Sequence, residues 1–353
     1  MNNSLEQRAP GMDRAAVRLL GMGFCLPGEP IPLLTLPLSP EEASRLRTLG
    51  QTFFHRAPGG STALMIEASQ AVLESTGTRP DQIGMVISAP SLLTSHGLEI
   101  PAIEIRNRLG LVRAECLNLG QGCVGLMRAM QLASNQLRLF PDCGVVLVVA
   151  GSVASHLTRN QNHGNFFWGD GAVAVLMGLG DDRDGFLTYH GYAERSVARN
   201  AGAMRIGFGD ADVIEHFDLH HDFHIRVAFP SDREQLEYIE GEKERLVAVV
   251  EDLTRQAGIG IEALNGVVLP SLGQNRLRVL LPADHPLRSR VICDFRHAHM
   301  GAVDAWLFLR DHLEQQPQPS GSAWYALLTP AFTAQWGGVL LCRNPPSATA
   351  QGR

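Results

Sequence analysis

The sequence predicts an α/β protein built from two similar halves. Three observations predict it. Short, unbroken aliphatic runs alternate with stretches of helical periodicity. Four sequence blocks recur in the same order in the first and second halves of the chain. The composition, 45% hydrophobic and 19% charged over 353 residues, supplies enough apolar side chains for a large core.

The strand candidates, in order, are Gly84 to Ser88, Val145 to Ala150, Ala172 to Met177, Gly266 to Leu269, Trp324 to Leu328 and Gly338 to Cys342. Unbroken runs such as Val145 to Ala150 suit a sheet covered on both faces. Between Val124 and Phe140 the residues Leu126, Met130, Ala133, Leu137 and Phe140 recur at spacings of four and three, which sets them along one helical face. A second such pattern, with Val303, Trp306, Leu307 and Leu313, predicts a helix from Met300 to Leu313. Residues 53–61, 92–98, 191–230 and 315–322 read as loops, 180–185 as a turn, and 345–353 as a frayed tail.

The repeat organises these elements. The block at Gly84 is similar to that at Gly266, the strand from Glu115 to that from Val291, the strand at Val145 to that at Trp324, and Trp168-Gly169 to Trp336-Gly337. The expected halves are residues 1–180 and 181–353. Cys123 and His299 then occupy equivalent positions, each at a strand-to-helix junction. Packing about a pseudo-twofold axis sets the two helix starts face to face and makes a Cys/His site.

Composition excludes several functions. The formal net charge is −6 and no Lys/Arg block is present, which argues against nucleic acid as a partner. No run reaches the length of a membrane span, and Met1 to Asp13 lacks the apolar core of a secretory signal. The six cysteines are scattered without a CxxC pair, which fits reduced thiols and a cytoplasmic location. Cys25, Cys116, Cys143, Cys293 and Cys342 read as small buried hydrophobes.

Three motifs carry a family resemblance over roughly residues 15–343. Gly120-Gln121-Gly122-Cys123-Val124-Gly125, then Phe167-Trp168-Gly169-Asp170-Gly171-Ala172-Val173, then Gln335-Trp336-Gly337-Gly338 together resemble β-ketoacyl-acyl-carrier-protein synthase III. The resemblance implies a thiolase fold: two βαβαβαββ-type halves in five layers, as a homodimer. It implies acyl-carrier-protein or coenzyme A thioesters as substrates, with no separate cofactor and no metal. It also implies a Cys-His-Asn set in condensing members, and here the sequence departs. Ser271 stands where the family's His is expected, and His299 where its Asn is expected, with Asp304 five residues on. That variant resembles the ketosynthase-III-like acyltransferases of natural-product, polyketide-type pathways, which use a Cys-His-Asp set.

Each residue type suits that chemistry. A thiolate at the start of a helix is stabilised by the helix dipole and attacks a thioester to form an acyl-cysteine. His299 is the expected general base, which takes a proton from an acceptor hydroxyl, amine or carrier thiol. Asp304 is expected to orient the imidazole. Five helical positions turn a side chain by about 140° net, so this pairing requires His299 to precede the helix. His297 is the competing base. An oxyanion hole draws on the Cys123 amide and, from the resemblance, on the Phe332 region. Decarboxylative condensation needs two neutral donors on the enolate oxygen, and Ser271 with His299 make a poor pair. Acyl transfer to a small-molecule acceptor is therefore the leading reading, with a condensing enzyme or an inert partner subunit as alternatives.

Other candidates are weaker. His216, His220 and His224 are spaced to share a helical face as a zinc site, with His221, Asp218 and Asp222 beside them, but read as an inserted solvated or substrate-lining loop. Gly169-Asp170-Gly171 reads as a structural turn rather than a phosphate loop. Arg45, Arg47 and Arg56 read as solvated surface rather than contacts to a pantetheine phosphate. His163 is unassigned.

Overall fold

The computed structural model describes residues 15–92, 99–155, 167–180, 186–197, 204–208, 223–227, 231–331 and 334–345. The strands are β1 (Ala16–Cys25), β2 (Ile31–Pro32), β3 (Phe53–Phe54), β4 (Ile83–Ser88), β5 (Glu115–Asn118), β6 (Val145–Ser152), β7 (Gly171–Gly180), β8 (Leu187–Ser196), β9 (Met204–Phe208), β10 (Phe223–Val227), β11 (Leu264–Val268), β12 (Val291–Ile292), β13 (Ala323–Ala331) and β14 (Gln335–Arg343). The helices are α1 (Pro40–Leu49), α2 (Ser61–Thr76), α3 (Pro101–Arg108), α4 (Gly125–Leu139), α5 (Asp232–Glu240), α6 (Glu242–Ala257), α7 (Gln274–Leu280) and α8 (Asp304–Gln315).

Ten of the strands form one sheet, ordered β12-β11-β13-β14-β8-β1-β7-β6-β4-β5. Read outward from the β1–β8 seam, both arms run in the same chain order: first strand, fifth, fourth, second, third. Pairing senses match as well. β4 is parallel to β5 and β6, as β11 is to β12 and β13, whereas β7 and β14 pair antiparallel to their neighbours. The seam is thin, with only Arg18↔Thr188 and Leu19↔Leu187 in register.

Burial follows the period-2 geometry of strands. Along β6, Val146 and Val148 face one core while Leu147 and Val149 face another, which is why its run is apolar without a break. On one outer face, α2 and α3 cover the first arm through Leu64, Met65, Ala68, Val72 and Ile105. On the other, α6 and α7 cover the second arm through Leu246, Val249, Leu253 and Leu277. Between the arms lie α4 and α8, whose Leu126, Met130, Ala133, Trp306 and Leu307 share a core with strands of both halves. The layers therefore run α–β–α–β–α, and the middle layer holds the two helices that follow Cys123 and His299.

Several expectations change. The second patterned helix begins at Asp304, not Met300. Gly301 adopts φ +65° there and turns the chain before the helix starts. Strands β1 and β8 and helix α2 carry no strong sequence signal. In β1 the run is broken by Arg18, Gly21 and Gly23, and a Cβ on Gly23 would lie 2.3 Å from the Ala68 carbonyl oxygen of α2. The stretch 191–230 is not all loop: it holds the end of β8 and the antiparallel pair β9–β10. The predicted turn at 180–185 lies outside the described residues beyond Gly180, as does the tail from 346.

Candidate active site

Cys123 sits in a single 3-10 turn, Gly122–Val124, that leads directly into α4. Gly122 has φ +55°, a conformation that favours glycine. Cys123 is 2% exposed. Its amide is among the first N–H groups of the helical segment, which have no intrahelical acceptor.

His299 lies upstream of α8, in a one-residue bridge to Trp168. Its N–H donates to the Phe167 carbonyl (2.7 Å), and its own carbonyl accepts from Gly169 N–H (2.9 Å). The indole of Trp168 stands 5.1 Å from the imidazole, centroid to centroid. After His299 the chain reverses at Gly301, and Ala302 N–H donates to Ser91 Oγ (3.0 Å). A Cβ at Gly301 would meet that same Oγ at 2.6 Å. The reversal carries Asp304, the first residue of α8, back to the ring. Asp304 Oδ2 is 2.8 Å from His299 Nδ1 and also accepts from Ser271 N–H at 2.8 Å. The other ring nitrogen, Nε2, faces Cys123 Sγ at 3.8 Å. Thiol, imidazole and carboxylate thus stand in line, with His299 1% and Asp304 0% exposed. The condition for the His/Asp pairing is met because His299 is extended, not helical.

Electrostatics reinforce the arrangement. Burial, the largest single influence, pushes the His299 pKa down, but the charges and hydrogen bonds of Asp304 and the Cys123 sulfur together outweigh it. The net effect is a pKa raised to about 10. The carboxylate at Nδ1 fixes the orientation that presents Nε2 to the sulfur. The first-turn position of Asp304 also suits its charge to the dipole of α8.

Ser271, at the position where the resemblance expects His, is fully committed. Its amide serves Asp304, its hydroxyl donates to the His297 carbonyl (2.6 Å), and its own carbonyl accepts from Gln51 Nε2 (3.2 Å). Gln51 Oε1 in turn accepts from Phe167 N–H (2.7 Å), so one buried amide ties together both segments that hold His299. Sequence reasoning missed Gln51 and Ser91. Ser91 closes the repeated Gly84 block but lies 211 residues from Ala302, and Gln51, outside every motif, lies 220 residues from Ser271 and 116 from Phe167.

His297 is held elsewhere. Its ring packs on Phe53 and Phe308, its Nε2 lies 3.9 Å from Asp294, and burial lowers its pKa. Among the other thiols, Cys25 donates to Glu67 and is pushed up to about 12, chiefly by burial. Burial also raises Cys116, Cys143 and Cys293. Asp170 accepts from the amides of Ala57, Ala154 and Ser155 and from the Ser155 hydroxyl, so Gly169-Asp170-Gly171 is a structural turn.

Two arginines depart from expectation. Arg45 and Arg56 are half-buried rather than solvated, with guanidinium carbons 5.6 Å over Phe167 and 5.2 Å over Phe54; face-on contact with a ring favours the cation there. Arg47 is exposed. Phe332, His163, His216, Asp218, His220, His221 and Asp222 lie outside the described residues. His224 belongs to strand β10, so it does not share a helical face with the other two histidines. Among the described residues, no group of three or more His, Cys, Asp or Glu side chains is placed to hold a metal ion. No described helix is long and apolar enough to cross a membrane.

The family model for 3-oxoacyl-[acyl-carrier-protein (ACP)] synthase III matches residues 117–194, a stretch that includes Cys123 and Trp168. A β-ketoacyl-[acyl-carrier-protein] synthase III of Streptomyces coelicolor is 31% identical over 176 residues, 48% of this chain and 50% of the relative. A 3-oxopimeloyl-[acyl-carrier-protein] synthase of Rhodothermus marinus is 30% identical over 179 residues, 49% of this chain and 51% of the relative. The chain thus spans about half the length of the curated relatives it matches. Solved structures align more fully. The acyltransferase ChlB3 matches with TM-score 0.77 at 18% identity, over 94% of this chain and 99% of that one. The priming β-ketosynthase of the R1128 polyketide pathway matches with TM-score 0.77 at 18% identity, over 94% and 98%. The 3-oxoacyl-(acyl carrier protein) synthase III of Pseudomonas aeruginosa PAO1 matches with TM-score 0.74 at 20% identity, over 94% and 98%. These likenesses establish the thiolase fold across nearly the whole described chain.

Proposed function

For a chain of the synthase III-like, thiolase-fold family, we propose an acyltransferase activity that passes an acyl group through Cys123 to a heteroatom acceptor. The donor is a carrier-protein or coenzyme A thioester. The acceptor is a small molecule bearing a hydroxyl or amine, or the thiol of a second carrier, in polyketide-type biosynthesis. The enzyme works as a homodimer, as the synthase III resemblance implies, in the cytoplasm, to which its scattered, unpaired cysteines point.

The observation that carries this reading is the line from Cys123 Sγ through His299 to Asp304, at 3.8 Å and 2.8 Å. In the loading step the Cys123 thiolate attacks the thioester carbonyl carbon. Negative charge develops on the carbonyl oxygen, where the Cys123 amide is one donor; the resemblance implies a second from the Phe332 region, which lies outside the described residues. The bond to the donor sulfur breaks, and that sulfur takes the proton from His299 Nε2. Loading therefore leaves an acyl-cysteine beside a neutral imidazole. In the transfer step His299 Nε2 takes the acceptor's proton as its oxygen, nitrogen or sulfur attacks the acyl carbon. The bond to Cys123 breaks, restoring thiolate and imidazolium. Asp304 holds Nδ1–H throughout and stabilises the cation without taking the proton.

Carbon–carbon condensation is disfavoured by the same geometry. It requires two neutral donors on an enolate oxygen. The Ser271 hydroxyl already donates to the His297 carbonyl, and the neutral His299 left after loading keeps its proton on Nδ1 for Asp304, so Nε2 has none to donate. Proteins of this fold include the acyltransferase ChlB3 and a priming β-ketosynthase, so the fold accommodates both outcomes.

The test supplies malonyl-coenzyme A alongside a panel of simple acyl thioesters. An acyl adduct with no release of carbon dioxide is expected. Carbon dioxide released together with a carbon–carbon product would overturn the proposal in favour of condensation. Failure of iodoacetamide to label Cys123 selectively would instead favour an inert partner subunit.

A further inference from the structure

A second carboxylate stands beside the nucleophile's turn. Glu194, near the end of β8, is half-buried. Its Oε2 accepts from the Tyr192 hydroxyl and from Gln121 Nε2 (3.1 Å), and its Oε1 accepts from Gln335 Nε2 (3.1 Å). Gln121 Nε2 also reaches Gln335 Oε1 at 3.4 Å. One charged group thus gathers donors from β8, from β14 and from the residue that caps the Cys123 turn. Hydrogen bonds to an ionised acceptor are roughly twice as strong as neutral ones.

The surroundings show what this clamp holds. Gln121 lies two residues before Cys123, with only Gly122 between them. Gln335 follows Ala334, which is non-glycine yet has φ +58°, a conformation kept only where neighbours enforce it. Val197 N–H, just past β8, donates to the Ala334 carbonyl (3.0 Å). At Gly337 a Cβ would stand 3.0 Å from Val124 Cγ1 and 3.1 Å from Tyr192 Oη, so β14, Tyr192 and the Cys123 turn are in direct contact. Arg195, next in sequence, pairs with Asp252.

We propose that Glu194 is a positioning residue that clamps Gln121 and Gln335 and so fixes the Gln121-Gly122-Cys123 turn with the Cys123 amide aimed at the thioester oxygen. This rests on the acyl-cysteine reading above. Its role is separable from the reactivity of the sulfur itself. Alkylation by iodoacetamide is a displacement at a saturated carbon and develops no oxyanion. Acylation by a thioester passes through a tetrahedral oxyanion that the amide must meet. A misaimed amide slows the second reaction and spares the first.

The experiment compares both reactions of Cys123 in the native protein, Glu194→Ala, Gln121→Ala and the double variant. Iodoacetamide is the alkylating probe. The acylating probe is whichever of acetyl-, octanoyl- and benzoyl-coenzyme A loads the native protein fastest. Acylation should slow by about 10- to 100-fold in each single variant, with alkylation essentially unchanged. The double variant should be no slower than the worse single, because both changes open one clamp. Gln121→Ala provides the reading where Glu194→Ala folds poorly. Equal slowing of both reactions, or full acylation rates in the variants, would overturn the inference. Native protein that no thioester loads would instead remove the acyl-cysteine reading, and this inference with it.

Discussion

Replacing Asp304 by Asn removes one charge from the site while keeping its shape. In the native structure Asp304 Oδ2 accepts from both His299 Nδ1 and Ser271 N–H at 2.8 Å, and the group is fully buried. Oδ1 is buried without a hydrogen-bond partner among the described residues. Asn keeps its oxygen on the two donors and leaves its NH2 at the unpartnered Oδ1 position, at a cost of about 1–3 kcal/mol. What changes is the electrostatic balance. Burial then acts on His299 with its main opponent gone, and the imidazole pKa falls. Removing one partner of a buried charge pair costs about 3–5 kcal/mol. At about 1.4 kcal/mol per decade, the step that creates the buried imidazolium should slow roughly 10²- to 10³-fold or somewhat more. Transfer to a hydroxyl creates that cation from a weak acid and bears the full loss. Loading falls less, because a thiol surrenders its proton far more readily than an alcohol does. Rapid-quench intact-mass measurements resolve the two steps: growth of the acyl adduct after donor addition, then its decay after acceptor addition. Equal slowing of both steps, or no slowing of transfer, would rule out this role for Asp304.

Three further outcomes follow from the same geometry. His299 has a folded-state pKa above its ordinary value of 6.5, so its contribution to stability is complete below that value and lost as pH rises through about 10. Tm should therefore decline across that window in the native protein and decline less in His299→Gln; matching slopes would count against the shift. Gly301→Ala forces a side chain into φ +65° and against Ser91, and should lower stability by about 1–3 kcal/mol in urea denaturation while reducing acyl transfer. Asp170→Ala leaves the amides of Ala57, Ala154 and Ser155 without their buried acceptor, and should destabilise the fold by about 3 kcal/mol or more. Iodoacetamide labelling of Cys123 should persist in whatever fraction of that variant remains folded.

The doubled architecture was legible because it repeats. Both faces of β6 and β13 are buried, so their residues must be apolar, and two such strands in equivalent places mark the two arms. The seam strands were not legible. β1 exchanges side chains for close approach to α2 at Gly23, and the apolar run of β8 is interrupted by Thr188, His190, Gly191, Glu194 and Arg195. The opposition of Cys123 and His299 followed from the repeat, since equivalent helix starts meet in the middle layer. The contact of His299 with Asp304 depends on one backbone feature, the left-handed turn at Gly301, that spacing alone does not reveal. Gln51, Ser91 and Glu194 brace the site from elements distant in sequence, and only folded coordinates bring them together. Arg45 and Arg56 read as surface because their aromatic partners, Phe167 and Phe54, announce nothing in the chain around them.

In the proposed reaction Cys123 carries the acyl group and His299 discharges it to a heteroatom. Intact-protein mass spectrometry with a panel of acyl-coenzyme A and acyl-carrier-protein thioesters tests it most directly, followed by a chase with hydroxyl, amine and thiol acceptors. One acyl adduct per chain is expected, absent in Cys123→Ala, discharged by an acceptor in native protein and persistent in His299→Gln. An adduct that survives Cys123→Ala, or one that discharges equally well without His299, would contradict it.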